Sequence, residues 1–226
     1  MKRFYKAASV GEGNAVLLDG RPVRTPGRAP LAVPTASLAA AIADEWNEQS
    51  ETIDPRAMPL TGLANAAIDR VAPAKDAFAP GLAVLGESDL LCYRAEGPAP
   101  LVARQADAWD PLLAWAASRY GVAFAVTSGI VHKPQPPGTV ARLAAAVDAR
   151  DPFELAGLSP LVTVSGSLVI ALALAEGAIG LAAAWAAASL DELWQAEQWG
   201  EDAEAAKALA GRRTDFAAAA RFLSLL

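Results

Sequence analysis

Apolar residues recur along this chain with two different periods, and the change between them divides it. Over residues 1–34 the apolar runs are short and broken by turn residues. Residues 4–10 read as a first strand, followed by a turn at 11–14. Residues 15–18 then meet Asp19-Gly20. Such a pair accepts positive φ, so it predicts a two-residue hairpin with residues 21–25 returning. Pro22 cannot donate to a ladder, which puts that strand at an edge. Residues 31–34 add a fourth short run. The expected product is a small antiparallel meander.

From residue 35 the period becomes helical. Thr35 is a good N-cap, and Leu38, Ala41, Ile42 and Trp46 make the first stripe. Residues 53–59 read as extended, because each proline pushes its predecessor out of the α region. The next stripe is Leu60, Leu63, Ala64, Ala67, Ile68 and Val71. A short helix over 75–85 and an extended piece over 89–94 follow. The helix over 101–120 carries Val102, Gln105, Trp109, Leu113, Ala116 and Tyr120. Asp110-Pro111 lies inside it and resembles an N-cap followed by a first-turn proline, which predicts a break or kink. Residues 122–127 read as a last strand, and helices over 139–149 and 151–158 precede an apolar region over 161–188. Gly177 ends one helix there. After Gly180 one helix is expected to carry Trp185, Leu190, Leu193, Trp194 and Trp199, and a final one runs over 202–225. The fold class is α+β. A small antiparallel β-rich N-terminal domain with the first helix (1–52) precedes a larger, mostly α-helical domain (53–226).

Composition sharpens this. Of 226 residues, 55 are alanine, the best helix former, and 54% are hydrophobic against 19% charged, which excludes disorder. A net charge of −6 argues against nucleic-acid binding, which needs a basic surface. The region 161–188 holds a single charge, Glu176. Roughly 20 apolar residues can span a bilayer. Three glycines and several hydroxyl residues interrupt this run, so buried helices are expected and no stable membrane insertion. The N-terminus is basic but has no apolar core, unlike a signal peptide.

Several chemistries are missing. Cys92 is the only cysteine, which excludes disulfides and cysteine zinc sites within one chain. His132, the only histidine, sits in a proline-rich stretch that reads as loop. No phosphate-cradling G-x-x-x-x-G-K-[ST] occurs. No cofactor and no metal are expected.

Charge is uneven. Residues 1–35 carry six basic and two acidic side chains, while residues 151–206 carry nine acidic and no basic ones. Six of these, Asp191, Glu192, Glu197, Glu201, Asp202 and Glu204, fall within 14 positions. They form either a solvated face or a docking surface for a basic partner. Glu197 is the odd member. At 100° per residue it lies with Leu190 and Leu193, near Trp194. A carboxylate among apolar side chains needs a partner. Arg212 or Arg213 could supply it, or Glu197 is a binding hot spot, or it is a catalytic acid of a small hydrolase that uses the neighbouring helix carboxylates.

Several strings in order carry a family resemblance. Lys2-Arg3-Phe4-Tyr5-Lys6, Leu18-Asp19-Gly20-Arg21-Pro22-Val23-Arg24-Thr25-Pro26 and Met58-Pro59-Leu60-Thr61-Gly62-Leu63-Ala64-Asn65 stand in the first half. Gly166-Ser167-Leu168 and Asp191-Glu192-Leu193-Trp194-Gln195-Ala196-Glu197-Gln198-Trp199-Gly200-Glu201-Asp202 stand in the second. Over nearly its whole length the chain resembles the assembly chaperone of the F-type ATP synthase that acts on the alpha subunit. The resemblance implies a non-enzymatic chaperone that shields the subunit interface of an unassembled alpha subunit until the beta subunit replaces it. It implies no nucleotide of its own, and a monomer when free. It also implies a bacterial cytoplasmic location, with mitochondrial relatives. The resemblance carries over Asp191, Glu192, Glu197 and Trp199 as members of the matching motif, and with Trp194 and Asp202 they are the expected partner-binding residues. One departure is the alanine-rich start at Gly180-Leu181-Ala182-Ala183-Ala184-Trp185, where relatives are more polar and acidic.

Overall fold

The N-terminal strands are shorter than the pattern predicts, because side chains claim the backbone groups that a longer ladder would need. The computed structural model describes residues 1–226. Strands β1 (Ala8–Val10), β2 (Val16–Leu18) and β3 (Arg21–Pro22) form an antiparallel sheet in that order. Upstream of β1, the carboxylate of Asp19 accepts from Lys6 N at 3.1 Å and Ala7 N at 3.0 Å, so these N–H groups are diverted from the ladder, while Ala7 O still accepts from Asp19 N at 2.9 Å. The first residues pair instead with residues 51–53, at the start of the extended stretch. Arg3 N donates to Glu51 O at 2.8 Å, and Ile53 N to Met1 O at 2.7 Å. The hairpin stands where expected, with φ of 48° at Asp19 and 79° at Gly20. Residues 31–34 make a single isolated bridge, Ala15 to Ala32.

Thr35 caps α1 (Ala36–Asn47), accepting from Leu38 N at 3.2 Å. Its inner face meets α2 (Pro59–Ala66) in a core that includes Leu38, Ile42, Leu60 and Phe222. Buried Glu45 receives Leu60 N, Thr61 N and the Thr61 hydroxyl at 2.7–2.8 Å, satisfying the open N-terminus of α2. The chain continues through a π turn at Ala67–Val71 into α3 (Lys75–Ala83).

Two compact units result. One contains Met1–Lys75 together with Asp151–Gly157 and Ala218–Leu226, and the other contains Asp76–Arg150 and Leu158–Ala217. In the first unit the Phe153 and Phe222 rings stack at 6.5 Å between centroids.

The second unit is helical. Residues 89–94 depart from the expected strand. Asp89 turns its carboxylate onto Leu91 N at 3.0 Å and starts a 3-10 turn over Leu90–Cys92. Only β4 (Tyr93–Arg94) pairs, parallel to β5 (Thr127–Ser128). Helix α4 (Ala99–Tyr120) runs through Pro111 without the expected break and ends at left-handed Gly121. After α5 (Pro137–Asp148) and α6 (Pro152–Ser165), the apolar region divides at turns. Left-handed Gly166 and Gly177 bracket α7 (Leu168–Ala175). Helix α8 (Leu181–Ala188) then follows Gly180. No helix is long and apolar enough to cross a membrane. Leu168–Ala173 are buried on every face, as expected of a central helix. Asp89, fully buried, receives the Ser167 hydroxyl at 2.7 Å and Val169 N at 2.9 Å, and so fixes the start of α7.

The single helix expected after Gly180 is two helices. The backbone leaves helical geometry at Ser189 (φ −106°, ψ 15°) and resumes as α9 (Leu190–Trp199). Gly200, at φ 90°, ends α9 before α10 (Ala203–Ser224).

Candidate functional site

Helix α9 sets the site. Its apolar positions Leu190 and Leu193 and its carboxylate Glu197 share one face, and that face lines a groove of about 490 Å³. The opposite wall is α4, through Arg104, Ala108 and Pro111, while Ala183, Ala186 and Ala187 of α8 supply the rest. An alanine side chain ends at Cβ, so this stretch of α8 is what leaves the groove open. Pro111 has no N–H to give the Asp107 carbonyl, so that acceptor lacks its usual helical donor.

The rim is charged. Arg104 Nη1 lies 2.9 Å from both carboxylate oxygens of Glu197, and its guanidinium stands 5.0 Å from the centre of the Trp194 ring. Neither Arg212 nor Arg213 is the partner of Glu197. Arg212 reaches Glu192 instead, at 2.7 Å. Asp191 accepts from the amide of Gln105 at 2.8 Å, and Gln105 in turn accepts from Ala95 N. The buried Trp109 indole donates to Ala187 O at 2.9 Å, which ties α4 to the end of α8.

The six residues singled out from sequence therefore divide. Glu197 and Trp194 meet at Arg104 on the groove rim. Asp191 braces α9 against α4. Glu192 faces α10. Trp199 is 78% exposed at the end of α9. Asp202 accepts from Ala205 N at 2.8 Å and caps α10. Arg104, Asp107 and Pro111 were missed. The one signal in the sequence, Gln105 within an apolar stripe, points to the contact of α4 with α9, because a buried amide implies a polar partner and that partner is Asp191.

The hydrolase alternative finds no support in this geometry. Asp191, Glu192 and Glu197 each engage a different partner, and they make no dyad around a common point. Cys92 is buried, and burial pushes its thiol up to about 12, far from a reactive thiolate at neutral pH. His132 is exposed, with Nδ1 2.9 Å from the Tyr93 hydroxyl. No cluster of histidine, cysteine and carboxylate side chains could hold a metal ion.

Comparison with known proteins agrees with a non-catalytic site. Residues 2–117 match the family model of the ATP12 chaperone protein. The crystal structure of Atp12 from Paracoccus denitrificans superimposes with a TM-score of 0.94 at 46% identity, covering 99% of this chain and 97% of that one. An aspartate-to-lysine mutant of the same Paracoccus protein gives the same values. The Atu1473 protein from Agrobacterium tumefaciens matches with a TM-score of 0.92 at 43% identity, over 99% of this chain and 85% of that one. On this likeness, which spans both units, the chain belongs to the ATP12 chaperone protein family, whose members are chaperones and not enzymes.

Proposed function

We propose that this chain is an assembly chaperone of the F-type ATP synthase. It holds the unassembled alpha subunit and shields its subunit interface until the beta subunit takes its place. The carrying observation is the groove of α4, α8 and α9, with an apolar floor and a charged rim. An unassembled subunit exposes an apolar patch, and such patches aggregate. A groove of this kind covers one apolar element of the client, while the rim selects orientation more than it adds affinity. Release by exchange requires modest affinity, and an open groove with short alanine side chains provides that.

Asp191, Glu192, Trp194, Glu197, Trp199 and Asp202 make up the proposed contact region. Within it, Glu197 and Trp199 touch the client, and Asp202 presents the α9–α10 turn. The chaperone works as a monomer in the bacterial cytoplasm; the Paracoccus and Agrobacterium relatives support the bacterial part of this reading.

The test is co-expression with the alpha subunit of the same ATP synthase, followed by size-exclusion chromatography. The expected result is a soluble one-to-one complex from which added beta subunit takes the alpha subunit. An alpha subunit that still aggregates beside a well-folded chaperone would overturn the reading.

A further inference from the structure

The N-terminal unit contains a second cleft, of about 610 Å³, separate from the groove above. Its floor is Tyr5, Leu18, Val23 and Trp46, and its edge carries Phe4, Arg21 and Arg24. We infer that this cleft is a second docking surface for the client and takes an acidic segment that carries a large apolar side chain. The inference rests on the chaperone reading.

Charge is the first argument. Residues 1–35 hold Lys2, Arg3, Lys6, Arg21, Arg24 and Arg28, and none of the six is in an ion pair. The guanidinium of Arg3 is spent on backbone carbonyls and the Tyr5 ring, and Arg24 makes one bond, to Arg28 O at 2.8 Å. Arg21 makes none. Asp19 is the one carboxylate lining the cleft, and the N–H groups of Lys6 and Ala7 occupy it. The edge therefore carries an excess of positive charge, with the Arg21 and Arg24 guanidinium groups set against the single carboxylate of Asp19.

Exposed apolar surface is the second. Phe4 is 66% exposed and Met1 73%, both beside the cleft, and the Phe4 ring meets Tyr5 edge-on at 5.5 Å. Large apolar side chains left in water at the edge of an aromatic-floored cleft are what an interface anchor needs. In the same floor, the indole Nε1 of Trp46 has no acceptor within the chain.

The occupant follows. An extended polyanion is repelled by a chain of net charge −6. A short carboxylate-bearing protein segment feels the local field only, within a screening length of roughly 8 Å. The floor accommodates its apolar side chain, and Arg21 and Arg24 take its carboxylates as charge-assisted donors.

The test uses the full chain with Arg21→Glu and Arg24→Glu together, and separately Phe4→Ser. Capture of the alpha subunit is measured over a salt series, with hydrogen exchange across residues 1–6 and 18–24. Wild type should show protection there in the complex. Each variant should bind about tenfold more weakly at unchanged melting temperature, and the double variant should lose most of the salt dependence. Unchanged capture by both variants, with no protection in the cleft, would overturn the inference while leaving the chaperone reading intact. Failure of the wild-type chain to capture the alpha subunit at all would remove both.

Discussion

Arg104 Nη1 holds both carboxylate oxygens of Glu197 at 2.9 Å, across 93 positions of sequence. The same guanidinium lies against the Trp194 ring, so one cation joins the two α9 residues that flank the groove. The two charged side chains are 44% and 50% exposed, which limits what their pairing contributes to folding to about 1 kcal/mol or less. A pair that is weak for stability yet placed on the rim of an apolar groove suits recognition better than structure.

Charge reversal therefore separates the two roles. Glu197→Lys sets two cations side by side on the rim, and with Glu192→Lys it removes two of the carboxylates of α9. Capture of the alpha subunit should fall at least tenfold, while the circular dichroism spectrum stays that of wild type and the melting temperature drops by only a few degrees. Wild-type affinity in the folded double variant would show that α9 is not the contact.

Filling the groove gives an independent check. Ala186 lines it, is exposed, and has no side chain beyond Cβ. Ala186→Phe adds a ring to open space, so overpacking of the core, which costs about 1–3 kcal/mol elsewhere, does not apply. Stability should change by about 0.5 kcal/mol or less, while the alpha subunit is no longer kept soluble. Undiminished protection from aggregation by this variant would place the client elsewhere.

Much of this was legible before the structure, and the exceptions share a cause. Thr35, Asp19-Gly20 and Gly177 act locally, through a cap and left-handed turns, and each stands where the sequence puts it. Most of the failures are polar side chains that take up backbone groups, from two to thirteen positions away. Asp19 diverts the N–H groups of Lys6 and Ala7 from a strand, Asp89 converts residues 90–92 into a turn, and Ser189 sends its hydroxyl to Trp185 O at the break between α8 and α9. Pro111 was read as a break because the surrounding packing was invisible. The face of α9 was legible from its period, but the wall opposite it was not. Helical spacing tells which residues of α9 point together and nothing about which helix they point toward.

Cys92 provides a probe of the second unit. Its thiol is buried, and burial together with the Asp89 carboxylate raises it to about 12. It should resist a thiol reagent at pH 7 in the native protein and react promptly in denaturant, with native labelling limited by opening of the unit. Fast labelling without denaturant would contradict the packing around Leu90–Cys92.

Asp89 and Glu45 should shape the pH dependence of stability. Both carboxylates are buried and receive only donors: Leu91 N, the Ser167 hydroxyl and Val169 N in one case, Leu60 N and the Thr61 N and hydroxyl in the other. Burial raises both, and the hydrogen bonds pull them back only in part. With a folded pKa above the unfolded one, the native state binds more protons than the unfolded chain in the window upward from about 4. Stability from these two groups therefore falls as pH rises through that window. Glu176 acts in the opposite sense. Burial raises it, but hydrogen bonds from Tyr120 and Arg119 and the charges of Arg119 and Arg150 outweigh that and lower it. Its contribution is present at neutral pH and lost on acidification below about 4. The stability of wild type against urea should thus fall from pH 4.5 toward 7. Asp89→Asn should flatten part of that slope and lower stability throughout by about 1–3 kcal/mol, because asparagine offers one acceptor oxygen where three donors now share two. A wild-type curve that rises steadily over this window, and an asparagine variant of wild-type stability, would show that Asp89 does not hold the start of α7 as a buried acceptor.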